Sequence, residues 1–199
     1  MLKRDLRGFS LIELMVTVAI AAVLLALAIP SFSSWIQNTR IRNVAQDIYA
    51  GVQRTKTEAV QRNIQARFQL TTNLSAGCAL STTGTAWVVS QIDTATPTQD
   101  ATGKCNGLID TAGTSPRLLA TRPPESNNSK VLVTASQSSF VFNSLGKQVS
   151  APAGDITIDV KASGGTCGTD LTCLRIVVSP AGQTRLCNPR FKADDPQGC

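Results

Sequence analysis

Hydrophobic positions are concentrated near the start of the chain. Residues 9–30 are almost wholly apolar and contain one charge, Glu13. A helix of about 20 apolar residues can cross a bilayer, whereas the core of a secretory signal has about 7–15. Lys3, Arg4 and Arg7 precede the run, and basic flanks stay cytoplasmic. The pattern predicts a single-pass inner-membrane helix over residues 9–30, with the rest of the chain in the periplasm.

The next stretch has the periodicity of an amphipathic helix. Apolar residues recur in steps of three and four, and most charges fall off that line. The stripe consists of Ile41, Val44, Ala45, Ile48, Val52, Thr55 and Ala59. It predicts a helix over residues 31–66 that packs under a sheet. Arg54 and Glu58 are spaced for an ion pair on this helix, in the less favourable order.

Beyond the helix the pattern changes to short runs that favour strands. These runs cover residues 66–70, 86–92, 130–134, 139–142, 156–160 and 174–178, and stretches rich in turn residues separate them. Closely spaced strands indicate an antiparallel sheet or a small sandwich rather than βαβ units. We therefore predict an α+β chain with a β-rich periplasmic head over residues 67–199.

The single charge in the apolar run is unusual for a plain anchor. A carboxylate at membrane depth costs about 2.5 kcal/mol or more, so it usually has a partner. Glu13 could simply lie at the membrane interface. A functional interpretation needs a positive group one helical turn away, and cleavage after Gly8 would free such an amine on Phe9. Glu13 would then neutralise the amine of a neighbouring subunit.

The sequence GFSLIE, beginning at Gly8, resembles the class III signal of type IV prepilins and pseudopilins. The resemblance implies a leader over residues 1–8, removed by prepilin peptidase, and methylation of the new amine on Phe9. It also implies roles in filament assembly for Glu13 and for Pro30, which matches a family proline that kinks or melts the helix. The implied fold is the type IV pilin fold, with a half-transmembrane helix packed on an antiparallel head. The implied partners are prepilin peptidase, the inner membrane, and other major and minor pilins.

The run TEAVQRN over residues 57–63 resembles a segment of the GspH and FimT/FimU branch, with Thr57 replacing the usual serine. That branch includes minor pilins and a minor pseudopilin of type II secretion. The resemblance implies a structural subunit that helps initiate or cap a pilus used in twitching motility and adhesion. A secretion pseudopilin is the alternative. Either protein would move from the inner membrane into a filament at the cell surface.

Cysteine usage agrees with a head outside the cytoplasm, whereas the moderate positive charge indicates no more than a solvated face. The net charge is +6, and the six cysteines all follow the helices. An even cysteine count on the periplasmic side indicates disulfides. Several pairings are possible, and we favour nearest neighbours. The candidate residues are Cys78, Cys105, Cys167, Cys173, Cys187 and Cys199.

The sequence offers no catalytic constellation. There is no histidine, no phosphate-binding loop and no nucleophile elbow, so triad chemistry and histidine-based metal sites are excluded. Adjacent Asp194 and Asp195 do not supply the six or more oxygen ligands that calcium requires. We expect a protein that is not an enzyme and that uses neither a metal nor another cofactor.

A second alternative concerns DNA. FimT-type minor pilins that bind DNA carry a Gly-Arg-x-Arg motif, and this chain has the related GQTR ending at Arg185, with Gln183 replacing one arginine. Arg175, Arg190 and Lys192 add positive charge nearby. These four cations are the candidate phosphate contacts, and such binding would be independent of sequence and weakened by salt.

Overall fold

The computed structural model describes residues 9–124, 130–150, 152–168, 171–192 and 194–199, and only the backbone of residues 27–31. Within these residues the chain forms one α-helix and eight β-strands. The chain divides into two compact units, which meet in sequence between Ile36 and Gln37.

Helix α1 covers Leu11–Arg62, and both of its ends are capped. Ser10 precedes the first turn, and its Oγ accepts a hydrogen bond from the Glu13 amide at 3.3 Å. At the other end Asn63 has a left-handed φ of 53°, and the Ile64 amide donates to the Ala59 carbonyl at 3.0 Å. The helix therefore ends before the predicted boundary at residue 66. Apolar spacing continues past the cap, but the left-handed asparagine ends the helical hydrogen bonding.

The strands form two antiparallel sheets of four. They are β1 (Ala66–Thr71), β2 (Ala86–Gln91), β3 (Arg117–Arg122), β4 (Val131–Ala135), β5 (Ser139–Phe142), β6 (Ile156–Ala162), β7 (Leu174–Val178) and β8 (Thr184–Cys187). The first sheet has the order β3-β2-β1-β5 and the second β4-β6-β7-β8. The predicted antiparallel head and six of its strands are thus present.

The sequence patterns did not predict β3 and β8. In β3 three consecutive residues, Leu118, Leu119 and Ala120, are buried, because both faces of this strand are covered. A strand buried on both faces shows no alternation of polar and apolar residues. The other missed strand, β8, has four residues of mixed character, TRLC, which is too short for a periodicity to appear.

The main core lies between the second half of α1 and the two sheets. Every residue of the predicted stripe, from Ile41 to Ala59, is at most 3% exposed. These side chains form one cluster with core residues of both sheets. Three phenylalanines fill its centre, with ring centroids 5.1 Å apart for Phe68 and Phe140, and 6.0 Å apart for Phe140 and Phe142. The predicted helix-on-sheet packing is therefore present.

A smaller core covers the outer face of the first sheet. Val88 and Leu118 pack there with Ala101 and the disulfide between Cys78 and Cys105. The other disulfides join Cys167 to Cys173 and Cys187 to Cys199, and no cysteine is free. This is the nearest-neighbour pairing that the sequence analysis favoured. The Cys78–Cys105 disulfide joins the long loop after β2 to the loop between β1 and β2.

Candidate assembly segment and C-terminal cationic surface

The N-terminal part of α1 presents a continuous apolar surface. Phe9 is 82% exposed and Leu11 is 79% exposed. The other exposed large hydrophobic residues of this segment are each at least 49% exposed. They are Ile12, Leu14, Met15, Val16, Val18, Ile20, Val23, Leu24 and Leu25. An uncovered apolar patch of this size marks a membrane or protein interface.

The single carboxylate of this segment lies in the first turn of the helix. Ser10 and Glu13 have the spacing of a capping box, and the Ser10 Oγ accepts from the Glu13 amide. Glu13 is exposed and makes no ion pair with any described residue. Its carboxylate therefore remains accessible to a cation from another chain. The sequence analysis did not predict that Ser10 caps this helix, although Ser-x-x-Glu before an apolar run is the usual signal of such a cap.

The predicted cleavage residue Gly8 and the predicted assembly residue Pro30 lie wholly or partly outside the described residues. Gly8, at the predicted cleavage position, lies outside the described residues. The side chain of Pro30 also lies outside them, although the helical backbone includes residue 30. In the part of the chain that is described, no helix combines the length and apolar character needed to cross a membrane. The predicted span over residues 9–30 therefore stays a prediction.

The C-terminal cations differ in what they contact. Arg175, on β7, forms two hydrogen bonds to the Asp159 carboxylate on β6, at 2.6 and 2.9 Å. These bonds raise the pKa of Arg175 above its ordinary value, although partial burial opposes the shift. The guanidinium is already paired, so it offers less to a phosphate than the sequence analysis expected.

The other three cations lie on an exposed surface at β8 and the tail. Arg185 donates to the Cys199 backbone carbonyl at 2.5 Å, and Arg190 donates to the Gly168 carbonyl. Lys192 and Arg190 line a shallow cleft together with Phe191. That cleft is also lined by Asp194 and Asp195, so the local charge is mixed. Arg175 also lies beside the tail disulfide, because it is the β7 partner of Cys187. It differs from the other three cations in its ion pair with Asp159.

A charge network at the end of α1 joins three parts of the head. Arg62 pairs with Glu58 at 2.6 Å and with Asp110 at 2.7 Å, and Arg117 reaches Asp110 at 2.8 Å. Hydrogen bonding from Arg62 is the main reason that the pKa of Asp110 lies below its ordinary value. The predicted Arg54–Glu58 contact is longer, 3.7 Å. The Glu58–Arg62 spacing, which has the more favourable order, was the missed signal.

Metal chemistry finds no support in the described residues. No group of three or more His, Cys, Asp or Glu side chains is arranged there to hold an ion. All six cysteines are used in disulfides. The groups capable of chemistry are therefore scattered, and the extended surfaces at the two termini remain the candidate sites.

Together, the exposed apolar helix and the antiparallel head define the class: a filament subunit with the type IV pilin fold. The prokaryotic N-terminal methylation motif matches residues 3–29. The family described as type II transport protein GspH matches residues 44–182. The chain belongs to the GspH family, which places it among the minor pilins and pseudopilins of the GspH/FimT/FimU branch.

A solved structure shows the same fold. The crystal structure of the type IV minor pilin FimU from Pseudomonas aeruginosa is similar, with a TM-score of 0.50 and 15% identity over 83% of this chain and 98% of that chain. The minor pseudopilin EpsH of the type 2 secretion system of Vibrio cholerae matches with a TM-score of 0.46 and 12% identity, over 75% of this chain and 98% of that chain. A comparison with the curated proteins finds no match.

Proposed function

We propose that this chain is a minor type IV pilin that helps to initiate or cap a pilus. In this proposal it is made as a single-pass inner-membrane precursor with a periplasmic head. Prepilin peptidase cleaves it between Gly8 and Phe9 and methylates the new amine. The observation that carries the proposal is the exposed apolar helix surface with Glu13 as its one carboxylate.

The exposed apolar side chains in the N-terminal part of α1 need a cover other than water. Lipid covers these side chains in the precursor, and neighbouring helices replace the lipid in the filament. Burying Glu13 in such a bundle costs several kcal/mol unless a cation compensates it. The freed amine of Phe9 on an adjacent subunit is a suitable cation, because it lies at the same end of the helix. The charge pair would set the axial register between neighbouring helices.

Substitution of Glu13 tests this pairing, provided that charge is separated from helix capping. Glu13→Gln removes the charge but keeps a side chain suited to the capping box. We expect the variant to be processed normally and to be lost from purified filaments, as Glu13→Val would be. Ser10→Ala is the matched control, because it removes the cap and keeps the charge. Immunoblotting of sheared pili and of cell membranes measures both steps. Normal incorporation of Glu13→Gln would refute the pairing.

A second proposal is a pseudopilin of type II secretion, which the description of the matching family favours. The two roles can be distinguished in a strain from which the gene is deleted. The same strain complemented by the wild-type chain is the control. Loss of surface pili and twitching, with normal release of secreted proteins, supports the pilus role. Loss of secretion with normal piliation supports the pseudopilus role and contradicts our first choice.

A third proposal is DNA binding, supported by the exposed cations Arg185, Arg190 and Lys192. Each phosphate contact would contribute about 0.9 to the slope of log affinity against log salt. Arg185→Gln should therefore weaken duplex binding and reduce that slope by about one contact. Lys104→Gln, an exposed cation in the loop between β2 and β3, is the control for net charge. If the wild-type protein fails to shift duplex DNA at low salt, this role is excluded.

A further inference from the structure

An exposed aromatic pair follows the apolar part of α1. Phe32 and Trp35 are each 62% exposed, and their rings stack with centroids 5.8 Å apart and an interplanar angle of 26°. Residues three apart on a helix share one face, so the two rings form one aromatic surface. By contrast, the other tryptophan of the chain, Trp87 in the head, is only 6% exposed.

The sequence around the pair changes from apolar to polar. Residues 31, 33 and 34 are serines, and 37–39 read Gln-Asn-Thr, whereas residues 18–29 are entirely apolar. No Asp, Glu, Lys or Arg occurs between Glu13 and Arg40. The pair thus lies where an uncharged segment first becomes hydrophilic. Rings with an apolar body and, in Trp35, a polar N–H are suited to such a boundary.

The helical rise gives the depth of the pair. Glu13 and Trp35 are separated by a helical stretch of about 33 Å at ~1.5 Å per residue. The hydrocarbon core of a bilayer is about 30 Å thick, and headgroups extend beyond it on both sides. If Glu13 lies at the cytoplasmic boundary of the hydrocarbon, Trp35 lies a few ångströms beyond the opposite boundary. That depth is the headgroup region.

We infer that Phe32 and Trp35 form an interfacial anchor that contacts lipid headgroups on the periplasmic side of the inner membrane. The inference rests on the proposed anchored precursor and adds a depth to it. Lipid is the occupant because the pair directly follows the apolar run of residues 9–30 in the sequence, and the large apolar side chains described in that run, from Phe9 to Leu25, are exposed. The anchor would set how far the helix enters the bilayer. It would therefore also set the depth of Glu13 in the membrane before assembly.

Tryptophan fluorescence tests the inference, because the chain contains only two tryptophans, Trp35 and Trp87. The full chain is reconstituted into phosphatidylcholine and phosphatidylglycerol vesicles. Bromine quenchers are placed either near the carbonyl end of the acyl chain or near its methyl end. Trp35→Phe keeps an aromatic pair and leaves the signal of buried Trp87 for subtraction. Val23→Trp in that variant supplies a deep reference, since Val23 lies ten residues beyond Glu13, about 15 Å along the helix and near the middle of the hydrocarbon, and is 61% exposed.

We expect the Trp35 signal to be quenched at least twofold more by the shallow bromines than by the deep ones, with the opposite order for the reporter at position 23. Stronger quenching of Trp35 by deep bromines would overturn the inference. So would an absence of quenching while the protein floats with the vesicles, which would mean that a second copy or water covers the pair. If the protein does not float at all, the membrane-anchored precursor itself fails.

Discussion

Replacement of Gly51 by alanine sets helix propensity directly against core packing. Gly51 lies in the middle of α1, where alanine is favoured by about 1 kcal/mol. An added Cβ would lie 2.7 and 2.8 Å from two ring atoms of Trp87 and 2.9 Å from a ring atom of Phe68. Carbon atoms in favourable contact are about 3.5–4.0 Å apart. The helix and the sheet would have to separate by roughly 1 Å to accept the methyl group.

Separating the helix from the sheet is energetically unfavourable because both rings are packed in the core. Phe68 is 0% exposed and Trp87 is 6% exposed, and their ring centroids are 6.0 Å apart. Overpacking of this kind costs about 1–3 kcal/mol, and subtracting the propensity gain leaves a net loss of about 1 kcal/mol. For a chain of this size such a loss lowers the melting temperature by about 2–4 °C.

The assay is thermal and urea unfolding of the full chain in detergent, followed by near-ultraviolet circular dichroism. Asn43→Ala, at an exposed helical position, is the control, and it should stabilise by about 0.5 kcal/mol. In a Trp87→Leu background the two shortest contacts are gone and only the one to Phe68 remains, so Gly51→Ala should destabilise clearly less. A stabilising effect of Gly51→Ala in the wild-type chain, or an unchanged loss in the Trp87→Leu background, would refute the packing argument.

Two further predictions concern the head. Replacing both Cys187 and Cys199 by serine opens a loop with a sequence separation of 12. It should lower the unfolding free energy by about 3 kcal/mol and expose the tail to limited proteolysis, whereas a protease-resistant tail would contradict the role of this disulfide. Asp110 has a pKa below its ordinary 3.8, so its ion pairs with Arg62 and Arg117 stabilise the head above that value and weaken as the pH falls through the lowered pKa. Asp110→Asn should remove this part of the acid sensitivity, measured by hydrogen exchange of the Leu118 amide from pH 5 to pH 2 (about the titration range); an unchanged pH profile would exclude the network.

Local sequence by itself determined the elements in which the spacing of apolar residues follows from burial of a single face. The apolar stripe from Ile41 to Ala59 predicted a helix with one buried face, and every residue of that stripe is buried. Alternation on a half-covered sheet indicated strands such as β6, whose inward residues are buried and whose outward residues are half-exposed. The motif beginning at Gly8 and the apolar run identified the class, because both are carried by one contiguous segment of the sequence.

Tertiary structure decided what depends on residues far apart in the chain. β3 is buried on both faces only because the loop carrying Cys105 folds over the first sheet, and no local pattern records that cover. Arg175 is engaged because β6 places Asp159 opposite it, although the two are distant in sequence. Gly51 matters because Trp87 arrives from another element. In each case the neighbour that sets the energy is supplied by the fold, so periodicity along the chain could not reveal it.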